Sequence, residues 1–276
     1  MWSRGEAAKP LRQHLESRGH RVHCPTLPGH KAGSTTQVDQ LSLQDYADTI
    51  CGFIDSKSFE TPPVLIGHSM GGLITQMVAS RLEINSMVLL NSAGPAGVNH
   101  ILPTAVATTI GILLKPFFWK RSQKPGWKAV RFGILNEVEI TRAREIYQNF
   151  VPESGRAFGE LVFWFLDPNR TTTLPIPGPR ISTLIISGGR DRITSPPVAR
   201  ALAKVYPHAD VQTYPDHGHW IFEEPGREEV FQKMLEWIEF REDSSHTHLH
   251  HGVTKKKDSE QSKSTYQPPS QPKFSK

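Results

Sequence analysis

The sequence contains little cysteine: Cys24 and Cys51 are the only two in 276 residues. A chain of this length does not depend on disulfides, and two cysteines so far apart do not have the spacing of metal ligands. A disulfide scaffold and a zinc-type site are therefore not expected. The first residues also lack the charged and apolar regions of a signal peptide, so a reducing, cytoplasmic location is the expectation.

Long apolar runs and a strong excess of one charge are missing as well. The longest apolar run, residues 101–119, is interrupted by Pro103, Lys115 and Pro116 and is too broken to span a bilayer. The formal net charge is +5, and residues 241–276 contribute +3 of it through seven basic and four acidic side chains. Because we find no element that concentrates basic residues in the rest of the chain, a nucleic-acid partner is not expected.

Helix and strand patterns alternate over the first hundred residues and again after residue 180. The predicted strands are 21–24, 64–66, 86–90, 183–187 and 210–214. The predicted helices are 11–17, 43–56, the run after Ser69, 197–206 and 228–240. Strands separated by helices form parallel sheets that are covered on both faces. The sequence therefore predicts an α/β fold with a mostly parallel, doubly wound sheet.

Residues 98–175 interrupt this alternation. They hold 11 of the 24 aromatic residues and show no second strand pattern, which predicts a mainly helical insert. We divide the chain into a core (1–97 and 176–241), the insert (98–175) and a disordered tail (242–276) that is too poor in aliphatic residues to fold. Four histidines of the tail could hold a metal adventitiously, but a solvated low-complexity run explains them better: His246, His248, His250 and His251.

Ser69 is the candidate nucleophile. It lies in the segment Gly67-His68-Ser69-Met70-Gly71, between the apolar run 63–66 and the helical run 73–79. A turn this sharp between strand and helix strains the serine backbone and needs small neighbours, here Gly67 and Gly71. Such a turn also presents the hydroxyl at the helix N-terminus.

A serine needs a base to take its proton, and a carboxylate to orient that base. The strand 183–187 leads into Asp191, and the strand 210–214 leads into His219. In a parallel sheet both segments leave at the carboxyl edge, where the Ser69 turn also lies. The sequence therefore predicts that Ser69, Asp191 and His219 meet at this edge.

Each assignment has an alternative. His217 lies two residues before His219 and would point to the opposite side of an extended segment. Asp216 or Asp210 could take the place of Asp191, although each is so close to His219 in sequence that the loop would have to fold back. His68 is interpreted as a packed turn residue rather than as a second base.

Four segments carry a family resemblance: Gly67-His68-Ser69-Met70-Gly71-Gly72, the loop 189–193 with Ser195-Pro196-Pro197, Gly218-His219-Trp220 followed by Glu223-Glu224-Pro225, and Leu27-Pro28-Gly29-His30. In this order the chain resembles the α/β-hydrolase fold family over about residues 15–240, with the insert in the place of that family's variable cap. The resemblance implies that Ser69 attacks a carbonyl, His219 acts as general base and then acid, Asp191 orients it, and the Met70 N–H donates to the oxyanion.

The resemblance further implies an esterase or monoacylglycerol-type lipase with no metal or organic cofactor. Its partner would be a small to medium apolar ester. Four aromatic residues are candidates for the substrate wall, with simple core packing as the alternative: Trp119, Phe163, Trp164 and Trp220. Carbon–carbon bond hydrolysis and cofactor-free perhydrolysis use the same triad, and a non-catalytic ligand-binding protein is the rival from another class.

The chain departs from the family before the helix 11–17. The family has further strands there, and a His-Gly loop with a second oxyanion donor, for which we find no counterpart. Loss of one such donor typically costs about 10²–10³ in turnover. Without such a strand, the backbone N–H and C=O groups along one edge of its neighbour would be unpaired. That neighbour is either the strand 21–24 or the strand before Ser69. A sequence that begins after these elements is the favoured explanation, and a variant with impaired or no hydrolysis is the other.

Overall fold

The fold is that of a parallel sheet with helices on both faces. The computed structural model describes residues 1–31, 33, 34, 36–98, 102–176, 178 and 180–241. The predicted disordered tail, with its four histidines, lies outside these residues. In the described part of the chain, no helix has both the length and the apolar character that a membrane span requires.

The elements alternate as the sequence predicts. The strands are β1 (Val64–His68), β2 (Ser86–Leu90), β3 (Ser122–Gln123), β4 (Glu153–Ser154), β5 (Ser182–Gly188) and β6 (Asp210–Tyr214). The helices are α1 (Lys9–Glu16), α2 (Leu43–Lys57), α3 (Met70–Ala79), α4 (Pro103–Leu113), α5 (Trp127–Gly133), α6 (Ile140–Gln148), α7 (Gly155–Val162), α8 (Pro196–Val205) and α9 (residues 227–241). Single 3₁₀ turns lie at Gly5–Ala8, Val38–Gln40, Phe118–Lys120, Trp164–Leu166 and Ile221–Glu223.

The central sheet has the order β1-β2-β5-β6, and all of its pairs are parallel. Every residue of β2 is buried, and so is all of β5 except its first residue. Strands covered on both faces must be apolar on both faces, which explains why β2 and β5 are rich in Leu, Ile and Val instead of alternating with polar residues. The predicted α/β fold with a parallel sheet is confirmed.

Alternate residues of the strands serve two different cores. Val88 of β2 packs on the same side as Leu11 of α1 and Leu235 of α9. Its neighbour Leu89 packs on the opposite side with Leu202 of α8. Since successive side chains of a strand point to opposite faces, one five-residue strand anchors helices on both sides of the sheet.

The predicted strand 21–24 does not form. In the described structure these residues form no regular element and pair with no strand, and β1 is the edge of the sheet. A cleft of about 580 Å³ separates the two segments and is lined by apolar side chains that include Val22, Val64 and Ile66. An extended segment becomes a strand only when another backbone lies within hydrogen-bonding distance, and here the cleft prevents that. The unpaired sheet edge is therefore that of β1, which is one of the two strands expected to have it.

The insert between β2 and β5 contains α4 to α7 within residues 102–176. A two-residue antiparallel pair, β3 with β4, joins the two halves of the insert. The sequence analysis predicted a mainly helical insert and did not predict this pair, because two residues are too few to show the period of a strand.

Two buried glutamates attach the insert to the rest of the chain. The Glu153 carboxylate accepts hydrogen bonds from the Tyr46 hydroxyl (2.6 Å) and the His30 Nε2 (3.1 Å). Burial alone would raise the pKa of Glu153, but the hydrogen bond and charge of His30 outweigh it and lower the pKa. The Glu160 carboxylate accepts from the backbone N–H of Leu43, the first residue of α2 (2.8 Å). Carboxylates at a helix N-terminus and among buried donors fix the insert in one position.

Replacing Glu153 by alanine is expected to lower the free energy of unfolding by about 3–5 kcal/mol, because the buried His30 and Tyr46 groups lose their acceptor. Urea unfolding followed by circular dichroism measures this loss. The matched control is Glu145→Ala, which removes an exposed carboxylate paired with Arg142. We expect the control to change stability by less than about 1 kcal/mol. Equal losses in the two variants would contradict the role of Glu153 as an anchor.

Candidate active site

Ser69 lies at a sharp turn between β1 and α3. Its backbone has φ 56° and ψ −126°, a left-handed conformation that a residue with a Cβ rarely adopts. Two hydrogen bonds hold this backbone against the end of β2: the Ser69 N–H donates to the Leu90 carbonyl (3.2 Å), and the Ala93 N–H donates to the Ser69 carbonyl (3.0 Å). The surrounding backbone therefore maintains the strained conformation that the sequence predicts for a nucleophile turn.

The small residues that this turn needs are Gly67 and Gly72. A Cβ on Gly67 would overlap Thr75 and the backbone of Gly71, and a Cβ on Gly72 would overlap the side chain of Ser92. A Cβ on Gly71 would meet no atom within 4 Å. The expectation for Gly67 agrees with these contacts, whereas the one for Gly71 was wrong. The helix start packs against the segment after β2 through Gly72, a tertiary contact that the pentapeptide does not reveal.

Ser69, His219 and Asp191 lie within hydrogen-bonding distance in one line. The Ser69 Oγ is 3.0 Å from the His219 Nε2, and the His219 Nδ1 is 2.9 Å from the Asp191 Oδ2. All three residues are buried. An Nδ1–H that donates to the carboxylate leaves Nε2 free to accept the serine proton, which is the tautomer a general base requires.

Asp191 is held as a carboxylate by its surroundings. Burial alone would raise the pKa of Asp191, but the charge and hydrogen bond of His219 outweigh it. The backbone N–H groups of Ile193 (2.7 Å) and Thr194 (3.0 Å) donate to Oδ1 and add to this effect. The net result is a pKa below the usual value for aspartate. An ionised carboxylate at this position stabilises a protonated His219.

Glu224 holds the loop that carries His219. Its buried carboxylate accepts hydrogen bonds from the backbone N–H of Gly218 (2.8 Å) and of Trp220 (3.0 Å), the two neighbours of His219. It also accepts from the Nδ1 of His217 (3.1 Å). One carboxylate therefore fixes the backbone on both sides of the imidazole. In the sequence Glu224 stands out only as part of a motif, because its role depends on how the loop folds back.

The carbonyl side of the same loop is held by Asn91 and His68. The Asn91 Nδ2 donates to the carbonyls of Gly218 (2.8 Å) and His219 (3.1 Å). The His68 Nε2 donates to the His219 carbonyl (2.7 Å). Burial, with repulsion from His219, lowers the pKa of His68 to about 3, so this imidazole is neutral at physiological pH. Asn91 is not among the predicted site residues, although its position directly after β2 at the carboxyl edge is a usable signal.

The alternative residues have other partners. His217 contacts Glu224, Asp216 pairs with Arg190 (2.6 Å), and Asp210 pairs with Arg241 (2.8 Å). Asp216 and Asp210 are exposed, unlike Asp191. None of the contacts in the described part of the chain brings these three side chains to Ser69.

Three of the four predicted substrate-wall aromatics lie in the insert, and the fourth lies beside the site. Trp220 is buried, and its ring centroid is 5.8 Å from that of His68. Phe163 and Trp164 are half-buried and contact Phe165. Trp119 is 47% exposed and packs on Phe117 and Phe118, which does not support a place in a substrate wall.

The backbone N–H of Met70 is the candidate oxyanion donor. Met70 is the first residue of α3, and the first N–H groups of a helix have no acceptor within the helix. These groups lie at the positive end of the helix dipole, directly after the Ser69 hydroxyl. The turn therefore offers a donor where negative charge would develop during attack by Ser69.

The two glycines after Met70 provide a direct test of the turn. Gly72→Ala is expected to lower the free energy of unfolding by about 1–3 kcal/mol, because the new methyl group overlaps Ser92. Gly71→Ala is the matched control and should leave stability unchanged or raise it by up to about 1 kcal/mol, since alanine favours the helix. Thermal unfolding of both variants measures the difference. A destabilised Gly71→Ala with an unaffected Gly72→Ala would contradict this packing.

Comparisons with known proteins identify the family of the chain. The model of the alpha/beta hydrolase family matches residues 1–232. A Mycoplasma genitalium protein named esterase/lipase 2 is 38% identical over 66 residues, a match that spans 23% of this chain and only 24% of the relative's length. A monoacylglycerol lipase of Mycolicibacterium smegmatis is 26% identical over 242 residues, 81% of this chain and 76% of that protein.

A solved structure extends the likeness in fold. The pyrethroid hydrolase from Sphingobium faniae superposes with a TM-score of 0.64 at 18% identity, covering 89% of this chain and 95% of that one. At this identity the likeness shows the fold alone. With a family match over most of its length and a serine turn, imidazole and carboxylate at one sheet edge, the chain belongs to the alpha/beta hydrolase family.

Proposed function

We propose that the chain is a serine hydrolase that cleaves carboxylic esters through an acyl-enzyme intermediate. One observation carries the proposal: the buried line from Ser69 through His219 to Asp191, with separations of 3.0 and 2.9 Å. A serine, an imidazole and a carboxylate in this arrangement have the geometry of an activated nucleophile. The esterase and lipase relatives favour an ester as the electrophile.

In the first half-reaction Ser69 forms a bond from its Oγ to the ester carbonyl carbon, while His219 Nε2 takes the hydroxyl proton. The Met70 N–H donates to the carbonyl oxygen as it becomes negative. The bond to the alcohol oxygen then breaks, and His219 returns its proton to that oxygen. In the second half-reaction His219 takes a proton from water, the hydroxide attacks the acyl carbon, and the acid leaves as Ser69 regains its proton. Asp191 orients the imidazole throughout.

The substrate is proposed to be a small to medium apolar ester, with the insert as the cap over the site and no metal or organic cofactor. Trp220, beside His68, supports an apolar wall next to the triad. Phe163 and Trp164 remain candidates for that wall. Because we assign one oxyanion donor, Met70, turnover is expected to be lower by about 10²–10³ than in a site with two donors.

The alternative reactions are carbon–carbon bond hydrolysis and cofactor-free perhydrolysis, both of which use the same triad. A non-catalytic binding protein is the rival from another class. The strained backbone of Ser69 favours an enzyme over a binding protein, since an unfavourable conformation at a serine has no evident use in binding alone.

A fluorophosphonate probe tests the nucleophile. Its phosphorus should form a bond with the Ser69 oxygen as fluoride leaves and the hydroxyl proton is lost, so the intact chain is expected to gain the mass of the probe less that of HF, at Ser69. Ser69→Ala should abolish labelling, and His219→Gln should slow it by about 10³-fold or more. The exposed-residue variant Glu145→Ala is the control and should label at the normal rate. A folded protein that resists the probe would favour the binding-protein alternative.

A second experiment tests Glu224 as a positioning residue. Glu224→Gln keeps the shape of the side chain but places an amide N–H₂ against donor groups of the His219 loop. Turnover of a p-nitrophenyl ester is expected to fall by about 10²-fold, with a much smaller change in KM, because the imidazole is displaced while the substrate site is retained. Glu223→Gln, one residue earlier and outside this network, is the matched control. If KM and kcat fell by equal factors in both variants, the result would contradict the role of Glu224 as a positioning residue.

A further inference from the structure

An exposed apolar surface lies on the insert, apart from the triad. Its members are strongly exposed: Leu114 (76%), Phe117 (56%), Trp119 (47%), Phe165 (56%) and Leu166 (70%). We call these five residues the aromatic face. Single exposed apolar side chains are common on proteins, but a contiguous group of large ones marks an interaction surface.

The exposed rings of the aromatic face are linked to one another although they come from two segments. The ring centroid of Trp119 is 5.7 Å from that of Phe117 and 5.3 Å from that of Phe118. Phe118 is buried and contacts Phe163 at 6.0 Å, and Phe163 contacts Phe165 at 6.2 Å. The segments around residues 117 and 165 are therefore joined by a chain of ring contacts, with Phe118 and Phe163 as the support beneath the exposed rings.

The stretch that contributes Leu114, Phe117 and Trp119 to the aromatic face is basic. Residues 84–136 contain no Asp or Glu, but they contain six basic residues: Lys115, Lys120, Arg121, Lys124, Lys128 and Arg131. These six residues are spread over several elements, in line with the expectation that no single element concentrates basic residues.

Three of these cations, Lys115, Lys120 and Arg121, are exposed beside the aromatic face. The Lys120 Nζ lies 5.7 Å from the Phe117 ring centroid, and the Lys115 Nζ is 3.0 Å from the Gln123 Oε1. On the other segment, the nearby Asp167 carboxylate accepts from the backbone N–H groups of residues 169 and 171.

We propose that the aromatic face docks on the surface of a membrane that contains anionic lipids. Aromatic and leucine side chains enter the boundary between headgroups and acyl chains, and the adjacent Lys and Arg side chains reach the headgroup phosphates. Charge complementarity selects this occupant: three exposed cations beside the apolar residues outnumber the partly buried Asp167 carboxylate and match an anionic lipid layer. The inference concerns attachment and goes beyond the proposed hydrolysis, which it does not require.

Vesicle co-sedimentation of the full-length chain tests the docking. Vesicles of phosphatidylcholine with about 30% phosphatidylserine should carry the protein to the pellet, and raising the salt to about 0.5 M should reduce binding. The double variant Phe117→Ser with Phe165→Ser should bind at least about tenfold more weakly. The variant Lys120→Gln with Arg121→Gln should lose about tenfold on anionic vesicles and little on pure phosphatidylcholine.

Two controls keep the test specific. Val211→Ser with Phe240→Ser removes one aliphatic and one aromatic side chain, both exposed, from outside the insert and should leave binding unchanged. Lys255→Gln, Lys256→Gln and Lys257→Gln together neutralise the lysine run of the tail. If this tail variant abolishes binding while the aromatic-face variants bind normally, the proposal fails. It fails too if the chain ignores anionic vesicles, or if it self-associates through the aromatic face instead.

Discussion

The position of His219 depends on the backbone hydrogen bonds of its own loop, and the rest of the site depends on His219. Glu224 accepts from the N–H groups on both sides of it, while Asn91 and His68 donate to its carbonyl. These groups are drawn from three different parts of the chain. A loop held this way places the imidazole between a hydroxyl and a carboxylate and adds backbone contacts to the side-chain hydrogen bonds that the imidazole makes with them.

The insert is attached by the same kind of interaction. Glu153 and Glu160 bring carboxylates to donors of the core, and the Trp2 Nε1 donates to the Gln123 carbonyl (2.9 Å). Buried polar contacts of this type specify one orientation more sharply than apolar packing does, since an unpaired buried group is costly. The aromatic face therefore has a fixed position on the molecule, which a surface for docking on lipid requires.

The edge of the sheet at β1 links the fold to the chemistry. β1 carries Ser69 at its carboxyl end, while its outer side faces the apolar cleft toward residues 21–24. Backbone groups along such an edge lack the partners that a neighbouring strand provides. The strand that the family resemblance places before α1 and the second oxyanion donor would both belong to this region.

The sequence by itself determined the parallel sheet, the helices around it, and the meeting of Ser69, Asp191 and His219 at one edge. These followed from local patterns, because strand and helix periods and the turn at Ser69 are encoded by nearby residues. Tertiary structure alone decided that 21–24 would not become a strand, that Gly72 instead of Gly71 is crowded, and that Glu224 and Asn91 hold the His219 loop. Each of these features depends on contacts between residues that are distant in sequence. Composition and motif spacing do not show which distant segments of the backbone lie close together in the folded chain.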